Sequence, residues 1–191
     1  MLSRWHSHTM QALADRGQHP NEVWYWAAEK VTLYSSGGVV SHTFVDGKGV
    51  ITYDVPVVTV QTTLRETPVT AVSLPPTCTA IINRGFYLCS ELREISMPGV
   101  ESIGIYTFYN CTSLAISEMP AGVATIAGNA FYGCAGLTEL TFLGTPNAIE
   151  STAFRVCNNL TIIRVPWSEG EVAGAPWGAT NATITYNYTP Q

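Results

Sequence analysis

The chain has 191 residues, of which 46% are hydrophobic and 12% are charged, and its formal net charge is −5. Nine residues are Lys or Arg against fourteen Asp or Glu, so there is no basic stripe for a phosphate backbone and we expect no nucleic-acid partner. A chain this apolar can bury a sizeable core, which excludes a disordered chain. With 16 Gly and 11 Pro, the composition favours an extended β-rich or solenoid protein over a charged helical bundle.

The sequence shows no pattern of a secretory signal or a membrane span. The first eight residues are not followed by an apolar run of signal-peptide length. Two stretches without charge, 119–138 and 172–191, contain too many Gly, Pro, Asn and Thr residues to enter lipid. We therefore expect no membrane insertion, and a role outside the cell would require a signal missing from this sequence or an unconventional route of export.

Residues 1–20 are predicted to form an N-terminal helix or a disordered arm. Trp5, Met10 and Leu13 lie on one face if the segment is helical. His6 and His8 share a face if the segment is extended, and they are then a candidate metal pair. No Cys, Asp or Glu lies near this pair, so we predict no metal site and no cofactor.

Residues 21–68 are predicted to form a β-hairpin N-cap followed by a truncated first coil. Val31–Tyr34 and Val39–Phe44 alternate between apolar and polar residues as strands do. Asp46-Gly47 is a hairpin turn into a strand over Val50–Tyr53. The apolar positions of the truncated coil, which lacks the Phe and Cys of later coils, are Val57, Val60 and Leu64.

Residues 69–166 contain an internal repeat of the form I-x(4)-F-x-x-C-x-x-L. Its Phe residues follow one another at intervals of 22, 23 and 23 residues, and Cys and Leu keep the same intervals. An apolar alternation that ends in proline separates the copies, as at Ile95-x-Met97-Pro98. The four copies are Ile81…Phe86…Cys89…Leu92, Ile103…Phe108…Cys111…Leu114, Ile126…Phe131…Cys134…Leu137 and Ile149…Phe154…Cys157…Leu160.

A period of 22 to 23 residues is one coil of a solenoid and is too short for a pair of helices. Each coil is predicted to contain a short strand over the apolar alternation and a short helical or irregular turn over the Phe and Cys segment. The Phe, Cys, Leu and Ile residues then stack on their equivalents in the next coil and form one continuous core.

Residues 167–191 are predicted to be a C-terminal cap. Its final strand contains Ile184, Tyr186 and Tyr188, and the tryptophans expected to seal the two ends of the core are Trp24, Trp26, Trp167 and Trp177.

The cysteines are predicted to be reduced core residues, because Cys89, Cys111, Cys134 and Cys157 occur once per coil at an inward position. Zinc sites need ligands two to four residues apart, and stacked parallel side chains rarely reach the torsion of a disulfide. Cys78 lies outside this ladder and is the better candidate for a reactive thiol. We find no nucleophile motif, no phosphate-binding glycine loop and no catalytic carboxylate pair, so we predict that the chain is not an enzyme.

One row of residues is a candidate ligand-binding site. The residue after each inward Phe is Tyr87, Tyr109, Tyr132 and then Arg155, and this position is expected to face outward. Tyrosines one coil apart offer flat amphipathic area that recognition surfaces favour. The alternative is that the rings only cover the backbone of their neighbours. A competing site is the outward row of the strands, composed of Ser73, Glu94, Ser96, Glu139, Thr141 and Arg164.

The repeat Ile-x(4)-Phe-x-x-Cys-x-x-Leu-x-x-Ile-x-Met-Pro resembles the BspA-type (treponemal-type) leucine-rich repeat of bacterial surface proteins. The resemblance covers residues 69–166, and the flanking segments resemble the entry and exit regions of such proteins from gut bacteria. It implies a right-handed leucine-rich-repeat solenoid with β-rich caps. Three departures stand out: Ile116 and Glu118 are expected to shift the register of the third strand, Arg155 replaces an aromatic residue, and the sequence shows no anchoring segment.

The resemblance also implies a function. It points to a non-catalytic, adhesin-like module at the cell surface or outside the cell, which binds a host or cell-surface protein or glycan. Related repeats occur in phage-encoded proteins, so the alternative is a structural or receptor-binding component of a phage or another large assembly. Neighbouring genes for phage tails or for secretion would discriminate the two.

Overall fold

A computed structural model describes residues 18–34 and 38–190 of the chain. The predicted N-terminal helix or arm lies outside the described residues except for its last three positions, and the pair His6 and His8 lies outside them entirely. The strands of the described residues are β1 (Glu22–Trp26), β2 (Val39–Val45), β3 (Lys48–Tyr53), β4 (Thr59–Val60), β5 (Ala71–Ser73), β6 (Ala80–Ile81), β7 (Glu94–Ser96), β8 (Ser102–Ile103), β9 (Glu118–Met119), β10 (Thr125–Ile126), β11 (Glu139–Phe142), β12 (Ala148–Ile149), β13 (Ile162–Arg164) and β14 (Thr183–Thr185).

The chain forms a solenoid of about six coils with a repeat of about 23 residues, as predicted. Each regular coil contributes two short parallel strands rather than the single one expected. One parallel sheet has the order β12-β10-β8-β6-β4 and contains the first Ile of each motif, and the other side carries β5 and β7, then β9, β11, β13 and β14. The extra strand has only two residues per coil, which is too short to produce an alternation in the sequence.

The Phe and Cys segment is a series of turns. The Cys89 N–H donates to the carbonyl of Phe86 over 3.1 Å, and the Leu92 N–H donates to the carbonyl of Cys89 over the same distance. Of the two predicted forms, the irregular one is therefore present. Across residues 18–34 and 38–190, the one regular helix is a single 3-10 turn at Thr62–Leu64.

The core is a stack of equivalent side chains, and the prediction that Phe and Cys point inward is confirmed. The centroids of the Phe rings are 5.5, 5.0 and 5.0 Å apart from coil to coil, with nearly parallel planes. All four rings are fully buried, as are the Leu residues of the motif. Each coil buries its apolar face only because its neighbours cover it, which makes the core continuous along the solenoid.

The N-terminal cap is an antiparallel sheet that joins the solenoid directly. The predicted hairpin is present as β2 and β3, β3 pairs with β1, and β1 pairs with the first solenoid strand, β5. The predicted strand over Val31–Tyr34 is wrong, because this segment is irregular and its Val31 N–H donates to the hydroxyl of Tyr25. Strand β1 was not predicted: Val23, Trp24 and Tyr25 are all buried, so both faces are covered and no alternation results.

The truncated first coil and the C-terminal cap both close the core. Val57, Val60 and Leu64 are buried, and β4 pairs in parallel with β6. At the other end, β14 pairs in parallel with β13 through Ile184. The prediction that tryptophans seal the core is confirmed for Trp167 and Trp177, which belong to the core. Trp24 is buried outside the core, with the Lys48 ammonium 3.3 Å from its ring centroid, and Trp26 is half-buried.

The strand side of the solenoid is interrupted between β7 and β9. Ser117 occupies the position that Ile95 and Leu140 hold in neighbouring coils, and it is exposed. The predicted register shift at Ile116 and Glu118 is wrong. Glu118 pairs with Thr141 at the same 23-residue offset with which Leu140 pairs with Ile163. Ser117 shortens the strand instead, because a serine has no apolar surface to bury where the neighbouring coils have Ile95 and Leu140. In this coil Ile116 packs against the core.

Candidate binding surface

The tyrosine row, defined as Tyr87, Tyr109 and Tyr132, is a continuous stack. The ring centroids of Tyr87 and Tyr109 are 5.1 Å apart with planes 16° from parallel, and those of Tyr109 and Tyr132 are 4.7 Å apart with planes 7° from parallel. The three side chains are half-buried. The repeat places them together, because each follows an inward Phe and precedes a residue with positive φ.

Stacking limits which parts of the tyrosine rings a ligand can contact. Because the ring faces lie against each other, they are not available as the flat area that the sequence suggested. A ligand would meet the edges and hydroxyl groups of the rings instead. An aromatic edge carries positive potential and a face negative potential, so the row presents hydrogen-bond donors in a field that favours acceptors and anions.

Arg65 extends the row at its N-terminal end. The Glu66 N–H donates to the carbonyl of Tyr87 over 2.7 Å, just as the Leu88 N–H donates to that of Tyr109 over 2.9 Å. This equivalence puts Arg65 in the position of a tyrosine, with its guanidinium carbon 5.4 Å from the Tyr87 ring centroid. Sequence analysis missed it because the truncated coil has Leu64 and Thr67 in place of Phe and Cys. The signal that could have found it is the repeat interval counted back from Tyr87.

Arg155 occupies the same position at the C-terminal end of the row. The Gly133 N–H donates to the Arg155 carbonyl over 3.1 Å, which repeats the contact made by the preceding coils. The Arg155 side chain is exposed. The row therefore places three tyrosines between two arginines, which we call the arginine ends.

Further arginine and tyrosine side chains surround the row. The guanidinium carbon of Arg84 lies 5.8 Å from the ring centroid of Tyr87 and 5.5 Å from that of Tyr106. Tyr106 packs edge-on against Tyr109, with ring centroids 5.5 Å apart. Three of the five arginines in the described residues, Arg65, Arg84 and Arg155, thus lie at or beside the row, in a chain whose net charge is −5.

The pKa values of two residues in and beside the row are raised by their surroundings. Arg65 forms an ion pair with Glu66, and this hydrogen bond raises the pKa of the guanidinium. Desolvation, followed by the neighbouring Tyr132 and Tyr87, raises the pKa of Tyr109. The Tyr109 hydroxyl therefore stays protonated at neutral pH and can donate a hydrogen bond.

The competing strand row is less continuous than the sequence suggested. Ser73 alternates with the core residues Val72 and Leu74, but it is buried and donates to the side chain of Gln18 over 2.8 Å, so it is not open to a ligand. Gln18, which precedes β1, covers it, and its side-chain amide also donates to the Ser73 carbonyl over 2.9 Å. Arg164 forms an ion pair with Glu139 over 2.7 Å, but the interruption between β7 and β9 separates them from Glu94 and Ser96.

The cysteines have a structural place in the repeat. All five are free and buried. The Sγ–H groups of the four in the ladder donate to the Phe or Leu carbonyl of the preceding coil over 2.9–3.1 Å. The candidate reactive thiol Cys78 is wrong, because burial raises its pKa to about 11 and removes the thiolate that would react. In the part of the chain that the structure describes, no cluster of His, Cys, Asp or Glu could hold a metal ion.

The repeat model described as the BspA type leucine rich repeat region matches residues 61–173 in six copies. The chain belongs to this family. A crystal structure of a leucine-rich repeat protein from T. pallidum is similar at 28% identity with a TM-score of 0.58, and the match covers 71% of this chain and 65% of that one. A leucine-rich repeat protein from Bacteroides ovatus ATCC 8483 is 20% identical with a TM-score of 0.45, covering 64% of this chain and 43% of that one. No curated protein matches the sequence.

Membership of the BspA-type family gives the chain a general role. The repeat supports a protein-interaction module, its fold typically serves as a binding scaffold without catalysis, and the family is commonly associated with cell surfaces. The chain spans about two thirds of the T. pallidum protein that it matches. Between residues 18 and 190, apart from 35–37, no helix has the length and apolar character needed to cross a bilayer.

Proposed function

We propose that this chain is a non-catalytic, adhesin-like module at the cell surface, which binds a host or cell-surface protein or glycan through the tyrosine row and its arginine ends. The observation that carries the proposal is the row itself: five consecutive coils present Arg, Tyr, Tyr, Tyr and Arg at one equivalent position. Tyr and Arg are the residue types that most often dominate binding energy in interfaces.

The core does not need the row in order to be complete. The hydrophobic core contains the fully buried Phe residues and none of the three tyrosines, which keep part of their surface exposed. Two of the residues that follow the row, Leu88 and Val156, are exposed at 38% and 40%. Both have positive φ, at 59° and 62°, a conformation that is unusual for apolar residues. They lie at opposite ends of the row, with Asn110 and Gly133 at the equivalent positions between them, so they are separate apolar residues and not a continuous patch.

The test begins with a ligand. Purified protein is screened on glycan and host-protein arrays, and the affinity of each hit is then measured for the wild type and for Tyr109→Ser with Tyr132→Ser. We expect the double variant to lose at least about 2 kcal/mol of binding free energy, as truncation of interface aromatics often does. The control is Glu139→Ala with Arg164→Ala, which removes an ion pair from the strand side and leaves the net charge unchanged.

Stability must be measured in parallel, because the stacked rings also contribute to folding. Stacked aromatic pairs are worth about 0.5–1.5 kcal/mol each, so the serine variant is expected to melt earlier. Tyr109→Phe with Tyr132→Phe keeps the stack and removes only the hydroxyl groups, and it isolates their part in binding. A ligand whose affinity ignores both tyrosine variants would show that the row serves packing alone.

A further inference from the structure

We infer that the ligand of the tyrosine row is an acidic polysaccharide, whose carboxylate or sulfate groups meet the arginine ends while its sugar units lie along the tyrosine edges. This inference rests on the proposed function of the row and adds the chemical class of the ligand. Three observations carry it: the local charge, the form of the stack and its spacing.

Charge at the row runs against that of the whole chain. The protein has a net charge of −5, yet Arg65, Arg84 and Arg155 lie at or beside the tyrosine row. Between the arginine ends, the ring edges add positive potential and the hydroxyl groups add donors. A neutral ligand would leave the guanidinium groups without a new partner, whereas an anionic one satisfies both ends of the row.

The form of the stack excludes the usual way in which aromatic residues hold a sugar. The faces of the three rings lie 4.7–5.1 Å from one another, centroid to centroid, so a sugar ring cannot stack between them. It can accept hydrogen bonds from the edge, where a polysaccharide offers ring, hydroxyl and carboxylate oxygens in every unit.

The spacing favours a polysaccharide over a peptide. One row position follows another at the pitch of the solenoid, about 4.8 Å, so four steps span roughly 19 Å. An extended peptide presents side chains on one face only every ~6.7 Å, and it falls out of register with the row after two positions. A pyranose unit in an extended polysaccharide has a length close to the solenoid pitch. Successive units turn about the chain axis, but each unit carries ring and hydroxyl oxygens on every side, so each can accept a hydrogen bond from the row position that it reaches.

Glu66 provides a test of whether the ligand is charged. Its carboxylate already accepts hydrogen bonds from the Arg65 guanidinium, and its side chain is 44% exposed. An anionic ligand at this end must compete with that carboxylate. Removal of the Glu66 charge should therefore strengthen the binding of an acidic ligand, while a neutral ligand should not respond.

The experiment measures binding of four probes by titration calorimetry: an oligogalacturonate, its methyl ester, a chondroitin sulfate oligosaccharide and an oligoglutamate peptide. We expect the first or third probe to bind with an affinity that falls as salt rises, and the ester and the peptide to bind at least about tenfold more weakly. The galacturonate and the sulfated probe distinguish carboxylate from sulfate recognition.

Three variants place the binding on the row. The double variant Arg65→Ala with Arg155→Ala should lower the affinity for the acidic probe at least about tenfold. The control Arg93→Ala, which removes an exposed arginine on the strand side just before β7, should leave that affinity unchanged. Glu66→Gln should bind the same probe about threefold more tightly. Circular dichroism and thermal melting show that each variant is folded.

The outcomes separate this inference from the proposed function. Equal binding of the methyl ester or of oligoglutamate, or no gain from Glu66→Gln, would overturn the acidic polysaccharide. If none of the four probes binds while a protein or neutral glycan does so in a manner that depends on Tyr109 and Tyr132, the inference fails and the row keeps its function. Acidic probes that bind all row variants as tightly as the wild type would overturn both.

Discussion

Two sides of the solenoid differ in how strictly they repeat. The turn side consists of the Phe and Cys segments, and the strand side consists of β5, β7, β9, β11, β13 and β14. On the turn side, each Phe N–H donates to the backbone of the next coil, and each ladder cysteine donates its Sγ–H to the coil before it. On the strand side, the parallel sheet stops between β7 and β9. The Phe stack continues past this interruption, with ring centroids 5.5 Å apart for Phe86 and Phe108 and 5.0 Å apart for Phe108 and Phe131.

This difference shows which contacts hold the coils in register. The side chains of the turn side must match their neighbours in size and position, because they fill an interior with little free space. The strands are two to four residues long, so the loss of one pairing removes few hydrogen bonds. The turn side, together with the uninterrupted sheet β12-β10-β8-β6-β4, therefore sets the period, and the strand side tolerates local change. Because the turn side repeats so regularly, Arg65 lies in line with the tyrosine row.

Truncation of the Phe stack should cause the largest loss of stability. Phe108→Ala or Phe131→Ala is expected to lower the free energy of unfolding by about 3–5 kcal/mol, because each removes a fully buried ring from the middle of the stack. Equilibrium unfolding in urea measures the loss. If either variant unfolded like the wild type, the turn side would not be the element that holds the coils together.

Two strand residues at one repeat position should respond unequally. Leu140 on β11 is fully buried, whereas Ile95 on β7 is half-buried beside the interruption. Leu140→Ala should cost about 2–5 kcal/mol and Ile95→Ala clearly less, because Ile95 buries less apolar surface. Equal losses in urea unfolding would mean that the interruption does not weaken the packing of the strand side.

The sequence predicted the turn side well and the strand side less well, for physical reasons. Phe86 and its equivalents can be found because a fully buried stack demands the same residue type in every coil. The additional two-residue strands and β1 leave no alternation to detect. The burial of Ser73 could not be predicted from its own pattern, since it is caused by Gln18, which is distant in the sequence. Arg65 lies in a coil without Phe or Cys, so only the interval to Tyr87 marks it.

Alkaline pH should weaken the turn side through its buried thiols. Burial raises the pKa of Cys157 from 9.0 to about 12. Between these two pH values the unfolded chain loses the thiol proton and the folded chain keeps it. The contribution of this thiol to stability is therefore fully present below pH 9 and is lost as the pH rises towards 12. One such thiol contributes a slope of about −1.4 kcal/mol per pH unit.

Cys157→Val isolates this contribution, because tyrosines and lysines also titrate in that range. Urea unfolding between pH 9 and 11 is compared for the variant and the wild type. The variant is expected to lose stability less steeply by the slope of one thiol. Parallel pH profiles would show that the Cys157 thiol ionises as freely in the folded protein as in the unfolded chain.

The smallest expected effect concerns the hydrogen bond that each ladder cysteine makes. The Cys134 Sγ–H donates to the Phe108 carbonyl of the preceding coil over 3.1 Å. The truncated coil has a hydroxyl residue at the equivalent position, Thr67, which donates within its own coil to the Leu64 carbonyl. Cys134→Thr retains a donor and Cys134→Val does not, although the two side chains have the same shape. A buried hydroxyl normally costs stability relative to a methyl group. Here the threonine variant should equal the valine variant or exceed it by up to about 1 kcal/mol.

Cys78 provides the matched control, since it lies outside the ladder and its Sγ–H donates to the Ala80 carbonyl over 3.6 Å, a longer contact than those of the ladder. At this position the hydroxyl has a poorer partner, so Cys78→Thr should be less stable than Cys78→Val in urea unfolding. If threonine were disfavoured to the same extent at both positions, the ladder cysteines would act as small apolar residues alone, and the coil-to-coil thiol bond would contribute nothing to the register of the turn side.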